Sequence, residues 1–256
     1  MSNLREVNRK MKVAKKIFKT VRDEGRTFVL EHEAKDIMAS YGIPIPAYGT
    51  AVNANEAVEK AKEIGYPVVL KILSKDILHK SDAGGVKVNL KSDDEVRKSF
   101  NEIMENAKKY GVEKGVDVNL SRGVFISEFA EMGTEIIVGV TKDPQFGHAI
   151  MVGLGGIFVE VLKDVSFRLI PFTESDALEA LTELKAYKIL EGVRGEGPRD
   201  VDALVKIMLG ISKMVQENPE ITELDCNPSF VYEKGKGALV VDARILIEPS
   251  NESSTH

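Results

Sequence analysis

Four Val- and Ile-rich runs follow one another between residues 124 and 170: "VFISEF", "TEIIVGVT", "HAIMVGL" and "SFRLI". Only short polar or glycine-bearing stretches join the first three. Consecutive strands with such short connections pair antiparallel, because a parallel pair needs a crossover of a dozen residues or more. Further strand-like runs are "YPVVLKI", "VKVNL", "ITELDC" and "ALVVDARIL". Interleaved helical patterns make the expected class α+β, a mixed α/β arrangement rather than strict βαβ alternation.

The helical signals lie at about 5–22, 31–41, 55–64, from Ser92 onward, and over 175–216, where "EGVRGEGPRD" splits the pattern in two. Ser92-x-x-Glu95 reads as a capping box, with Val96, Phe100, Ile103 and Met104 on the buried face. Residues 5–22 hold eight Lys or Arg against one acid, Glu6, with Val7, Met11, Ala14, Phe18 and Val21 as an apolar stripe. Such a helix docks on its own domain or on a partner subunit; a nucleic-acid arm is the alternative. The chain is expected to divide into the basic helix (1–22), a two-part domain (about 43–125 and 126–248 within 23–248) and a polar tail (249–256).

At 256 residues, 43% apolar and 29% charged, the chain has ample material for a core. Its net charge of −5 argues against general attraction to nucleic acid or acidic lipid. The most apolar window, "HAIMVGLGGIFVEVL", is interrupted by three glycines and Glu160 and is too short to cross a bilayer. No secretory h-region opens the sequence. The single cysteine, Cys226, leaves no internal disulfide and fits a cytoplasmic setting.

Four places carry chemistry. Lys71 interrupts the apolar "PVVLKI", where a charge needs a partner, an anion or an edge position from which to reach water. In "ISEFAEMGTEIIVGV", Glu128 and Glu135 flank a turn at Gly133; a nucleotide could use the backbone of the first segment and the second carboxylate, or both acids could simply be solvated. In "ITELDCNPSF", strand alternation puts Glu223, Asp225 and Asn227 on one face, and in "ALVVDARIL" Val240, Asp242 and Arg244 share a face. Folding that pair as a hairpin about Lys234-Gly235 sets Asn227 opposite Asp242 and Asp225 opposite Arg244, which gathers hard oxygen donors suited to Mg²⁺ beside a guanidinium. The fourth, "VGLGGIFVEVLKDVSFRLIP", offers close backbone approach at its glycines, followed by Glu160, Asp164 and Arg168.

One further stretch, "LHKSDAGGVKVNL", sets His79 beside Lys80 and a double glycine between two strands. Imidazole is substantially free base at neutral pH and can attack phosphorus. Gly84-Gly85 is expected to give the loop freedom, and Lys80 and Lys87 to offset phosphate charge.

Together these strings resemble the β, nucleotide-binding, subunits of ADP-forming acetyl-CoA synthetases, acetate–CoA ligases of the ATP-grasp superfamily related to succinyl-CoA synthetase. The wording that carries the resemblance is "LHKSDAGGVKVNL", "DPQFGHAIMVGLGGIFVEVLKDVSFRLIP", "AYKILEGVRGE" and "ELDCNP…VVDARIL", and it covers about residues 22–248. His148 stands where the resemblance leads one to expect proline.

The resemblance implies an ATP-grasp fold of two α+β subdomains with the nucleotide cleft between them. It implies that His79 carries a phosphoryl group to Mg-ADP, that Lys71, Glu128, Phe129, Glu135 and Arg244 bind ATP or ADP, and that Asn227, Asp242 and Asp225 hold Mg²⁺. It also implies a CoA-binding α partner with the acyl-CoA site and a second phosphohistidine, in an α2β2 assembly. No G-x-G-x-x-G unit for CoA occurs in this chain. Two rival readings stay open: a self-contained ATP-grasp carboxylate ligase using a direct acyl phosphate, and a non-catalytic nucleotide-sensing subunit.

Overall fold

The computed structural model describes residues 2–77, 79–156, 159, 161–193 and 195–249, with the backbone alone over 2–11. The chain sorts into two compact units: a large one of residues 1–29, 33–45 and 132–256, and a small one of residues 30–32 and 46–131.

The large unit begins with α1 (Ser2–Asp23) and β1 (Phe28–Val29) and includes most of α2 (Glu31–Ser40). Ala14, Phe18 and Val21 of the expected stripe are fully buried in its core, so this part of the basic helix is integral to the unit; Val7 and Met11 lie outside the described side chains. The expected antiparallel run follows as β6 (Thr134–Asp143), β7 (Gly147–Leu154) and β8 (Val165–Leu169). Three helices come next. They are α5 (Glu174–Thr182), the short α6 (Lys188–Glu191) and α7 (Val201–Glu217), where two had been expected. The strands β9 (Ile221–Val231), β10 (Ala238–Val240) and β11 (Arg244–Ile247) complete a seven-stranded sheet. Its order is β1-β11-β9-β6-β7-β8, with β10 also paired to β9.

Alternation explains the faces. Along β9, Ile221, Leu224 and Cys226 are buried while Glu223, Asp225 and Asn227 are exposed. The buried face meets α7, whose Leu204, Met208, Ile211 and Val215 recur at three- and four-residue steps.

In the small unit, β2 (Tyr48–Ala51), β3 (Val68–Ile72), β4 (Val86–Leu90) and β5 (Val124–Glu128) form a sheet in the order β2-β5-β3-β4. Helices α3 (Ala54–Ile64) and α4 (Asp93–Lys114) supply Ala57, Val58, Ala61, Val96, Phe100 and Ile103 to its core. The Ser92 hydroxyl accepts from Glu95 N, but the Glu95 carboxylate returns to Lys91 N rather than to Ser92, so the box is displaced by one residue. A seam at 125/126 would cut β5; the contact division falls after Glu131. Among the described residues no helix is long and apolar enough to cross a membrane.

Candidate functional site

Lys71 sits on β3, an inner strand, across from Phe125 on one side and Val86 on the other. That removes the edge-strand explanation for its charge. Its neighbours Leu70 and Ile72 are buried, and its ammonium donates to Glu31 Oε1 at 2.7 Å. The second oxygen of the same carboxylate, Oε2, accepts from Lys80 Nζ, also at 2.7 Å. Glu31 is the first residue of α2 and sorts with the small unit.

His79 is exposed at the start of a tight turn. Its carbonyl accepts from Ala83 N, that of Lys80 from Gly85 N at 2.8 Å, and that of Ser81 from Gly84 N at 3.0 Å. Gly84 has φ +59° and donates no slack: a Cβ there would lie 2.7 Å from Asn106 Nδ2. At Gly85 a Cβ would lie 2.5 Å from Ile72 Cγ2. The two glycines therefore serve a close fit and a left-handed turn, not the loop freedom expected of them. Lys87 is committed to Glu102 at 2.5 Å, which leaves Lys80 as the lysine ion-paired at this turn.

Glu128 ends β5, exposed, and Phe129 is half-buried. The Glu128 N–H donates to Ala47 O and the Phe129 N–H to Pro67 O. Both donors that a base edge would want at these two residues are thus already used, so any contact to adenine here falls to other groups of the segment.

In the large unit, Glu135 lies on β6 across from Phe230. Gly155 N donates to Glu135 O, and a Cβ on Gly155 would lie 2.8 Å from Glu135 Cβ. Gly155 thus lets backbone pack onto this glutamate, whereas a Cβ on Gly153 would meet the Asp164 carbonyl at 2.8 Å. The acids after these glycines do something else. Asp164 is buried and accepts from the Lys185 and Ala186 amides, and Arg168 pairs with Glu183; Glu160 lies outside the described residues.

The hairpin register comes out as expected: Arg244 faces Asp225, and Val240 faces Ser229. These pairs bracket Asp242 and Asn227, which places them across from each other where the ladder is interrupted, between β10 and β11. Asp225, Arg244, Glu223, Thr141, Met151 and Phe167 line a cavity of about 420 Å³ on the sheet face within this unit. Burial, and then the neighbouring Asp242, push the Asp225 carboxyl above its ordinary value, while Arg244 opposes that rise. Among the described residues no three His, Cys, Asp or Glu side chains gather as metal ligands. Two carboxylates and an amide oxygen nevertheless fit Mg²⁺, which takes a small number of protein oxygens and fills its shell with phosphate and water. The mutual repulsion of Asp225 and Asp242 is what a cation would relieve.

His148, at the expected proline position, is a β7 residue paired with Lys142, and its Nε2 lies 2.7 Å from Ile221 O; its role is structural.

Against known proteins, the family profile described as ATP-grasp domain matches residues 20–247. The "Acetate--CoA ligase [ADP-forming] II subunit beta" of Pyrococcus furiosus is 52% identical over 236 residues, covering 92% of this chain and 98% of that one. The chain belongs to the ATP-grasp family, among the β subunits of ADP-forming acetate–CoA ligases. A solved structure of this family, from Ca. Korarchaeum cryptofilum, is an acetyl-coenzyme A synthetase in complex with coenzyme A, Ca-AMPCP and HgCl⁺. It has 46% identity and a TM-score of 0.85 over 92% of this chain and 100% of that one. A second form of that enzyme holds coenzyme A and Mg-AMPPCP, with its phosphohistidine segment pointing towards the nucleotide-binding site; identity is 44% and TM-score 0.79 over 92% and 100% of the two chains. As an ATP-grasp ligase subunit, the chain has the mixed α+β architecture read from its strands.

Glu31 was missed from sequence. "EHEAKD" reads as an amphipathic helix, and only the density of charge beside buried Ala34, Ile37 and Met38 could have drawn attention to it.

Proposed function

We propose that this chain carries a phosphoryl group on His79 and delivers it to ADP, completing the reaction acyl-CoA plus phosphate plus ADP to carboxylic acid, CoA and ATP with a CoA-binding α partner. The observation that carries this is an exposed imidazole at a tight turn, followed directly by a lysine whose ammonium shares a carboxylate with Lys71. In the transfer the P–N bond to the imidazole breaks, its electron pair stays on nitrogen, and a terminal oxygen of ADP forms the new P–O bond. Such a step asks little covalent chemistry of the protein beyond alignment and charge neutralisation. Lys71 and Arg244 would meet phosphate charge, Glu135 the ribose hydroxyls, and the Glu128–Phe129 segment the base. Asn227, Asp242 and Asp225 would hold Mg²⁺, which when bound neutralises phosphate charge.

The partner would hold the acyl-CoA site and a second phosphohistidine, in an α2β2 assembly in the cytoplasm. The bound coenzyme A and Mg-AMPPCP in the Korarchaeum enzyme support this reading.

The test is incubation of the full chain with γ-labelled ATP and Mg²⁺. Acid-labile, base-stable label is expected, and none in His79→Ala. Label that persists in that variant would overturn the assignment, and acid-dependent turnover that persists would point to a direct acyl phosphate instead.

A further inference from the structure

A buried carboxylate is costly unless its charge is met. The Glu31 side chain is 1% exposed, and each of its oxygens takes a different ammonium: Lys71, 13% exposed, and Lys80, 24% exposed. Its place at the first turn of α2 adds the favourable end of the helix dipole. Lys71 projects from an inner strand whose backbone is held on both sides, so it offers Glu31 a fixed point. Lys80 belongs to the turn that begins at His79 and is covalently next to it. The carboxylate therefore ties the histidine-bearing turn to the strand that bears Lys71.

The turn has other anchors on either side of the histidine: before it, Ile77 is buried in the small unit's core. Asn106 Nδ2 donates to Gly84 O, and Gly85 is packed on Ile72. Both act near β4, after the turn. Glu31 acts through the residue beside His79 itself.

We propose that Glu31 is a positioning residue for phosphoryl transfer: by holding Lys80 and Lys71 on one carboxylate it fixes the backbone at His79 relative to the lysine that meets phosphate. This rests on His79 being the phosphoryl carrier. Reacting groups displaced by about 1 Å lose on the order of a hundredfold in rate, so a lost tether has a measurable effect without any loss of a reacting atom.

The experiment compares the full-length parent chain with Glu31→Gln, Lys80→Met and the double variant. It records the rate of acid-labile labelling at saturating Mg-ATP and, without nucleotide, hydrogen exchange at the Lys80–Gly85 amides. Glutamine keeps the size and removes the charge that holds two ammoniums. Glu31→Gln is expected to slow labelling by about ten- to a hundredfold and to speed exchange in the turn while β3 stays protected. In the Lys80→Met background the same substitution should slow labelling by less than about threefold, because the tether is already gone. A merely structural role would raise exchange throughout the small unit, and would overturn the proposal. Undiminished labelling in Glu31→Gln, or an equal further loss in the Lys80→Met background, would do the same. If Glu31→Gln fails to fold, Lys80→Met alone must show slower labelling and faster turn exchange, and parent-like values there overturn the idea. Absence of label in the parent chain sinks the carrier reading and this inference with it; label in the parent with an unaffected variant sinks the inference alone.

Discussion

Glu31 and Asp225 are both carboxylates set against cations, one in each unit, and their surroundings differ. Glu31 is closed off from water and shared by two lysines at 2.7 Å each. Asp225 lies on the open face of a sheet, opposite Arg244, with Asp242 close enough to raise its carboxyl. The first arrangement satisfies its charges from within the chain. The second sets two carboxylates close enough for one to raise the other, a repulsion that a bound cation would relieve. The contrast is between a carboxylate whose oxygens each take an ammonium and one whose nearest neighbours are of both signs.

The strongest way to break this contrast is at the histidine. His79→Ala should lower phosphoenzyme formation by at least roughly a thousandfold, read as acid-labile label, while far-ultraviolet circular dichroism stays unchanged, because the ring is exposed. Next is the ligand-poor side. Asp242→Asn should weaken Mg-ADP binding by about ten- to a hundredfold in calorimetry. Parent-like affinity would remove Asp242 from the metal set.

Stability sharpens the comparison further. Lys80→Met leaves the buried Glu31 with one cation fewer and should cost about 1–3 kcal/mol in urea unfolding. Arg244→Ala, on the exposed pair, should change stability by less than about 1 kcal/mol. Equal losses would erase the distinction between the two acids. Gly85→Ala would press a methyl group against Ile72 and the Lys80 carbonyl, at a cost of about 1–3 kcal/mol, with slower labelling as well.

The smallest effect comes from a third acid, exposed on α5's C-terminal side. Arg168, and then the Ser166 hydroxyl, hold the Glu183 carboxyl down at about 2, against an ordinary 4.5. A lowered folded value stabilises above the unfolded one, so this contribution is whole above about pH 4.5 and fades as the pH falls toward 2. Arg168→Gln should flatten the acid side of a stability–pH profile in that window only. An unchanged slope there would show that the pair contributes nothing to folding.

Much of this was readable in the sequence. Period-two alternation put Asp225 and Asn227 on one face of β9, and the turn at Lys234-Gly235 gave the register that pairs Arg244 with Asp225. Of the four runs from residue 124 onward, the last three became consecutive antiparallel strands, β6, β7 and β8, whereas the first, β5, does not pair with β6 despite the short connection and lies instead between β2 and β3 in the other sheet. What could not be read were relations between distant residues. Glu31 meets Lys71 and Lys80 across intervals of 40 and 49 residues, and no local pattern encodes such a meeting. The glycines at 84 and 85 were misread because flexibility and close packing demand the same residue. Only the neighbours, Asn106 and Ile72, tell them apart.

The alternation along β9 has one more consequence. Cys226 is the chain's single cysteine, fully buried, and it stands between Asp225 and Asn227 with its thiol facing the core. Burial also raises the thiol's proton affinity, so it stays unreactive while the sheet is closed. Alkylation at that sulfur would then time the opening of the strand that carries Asp225 and Asn227, with the chain's own thiol as the reporter.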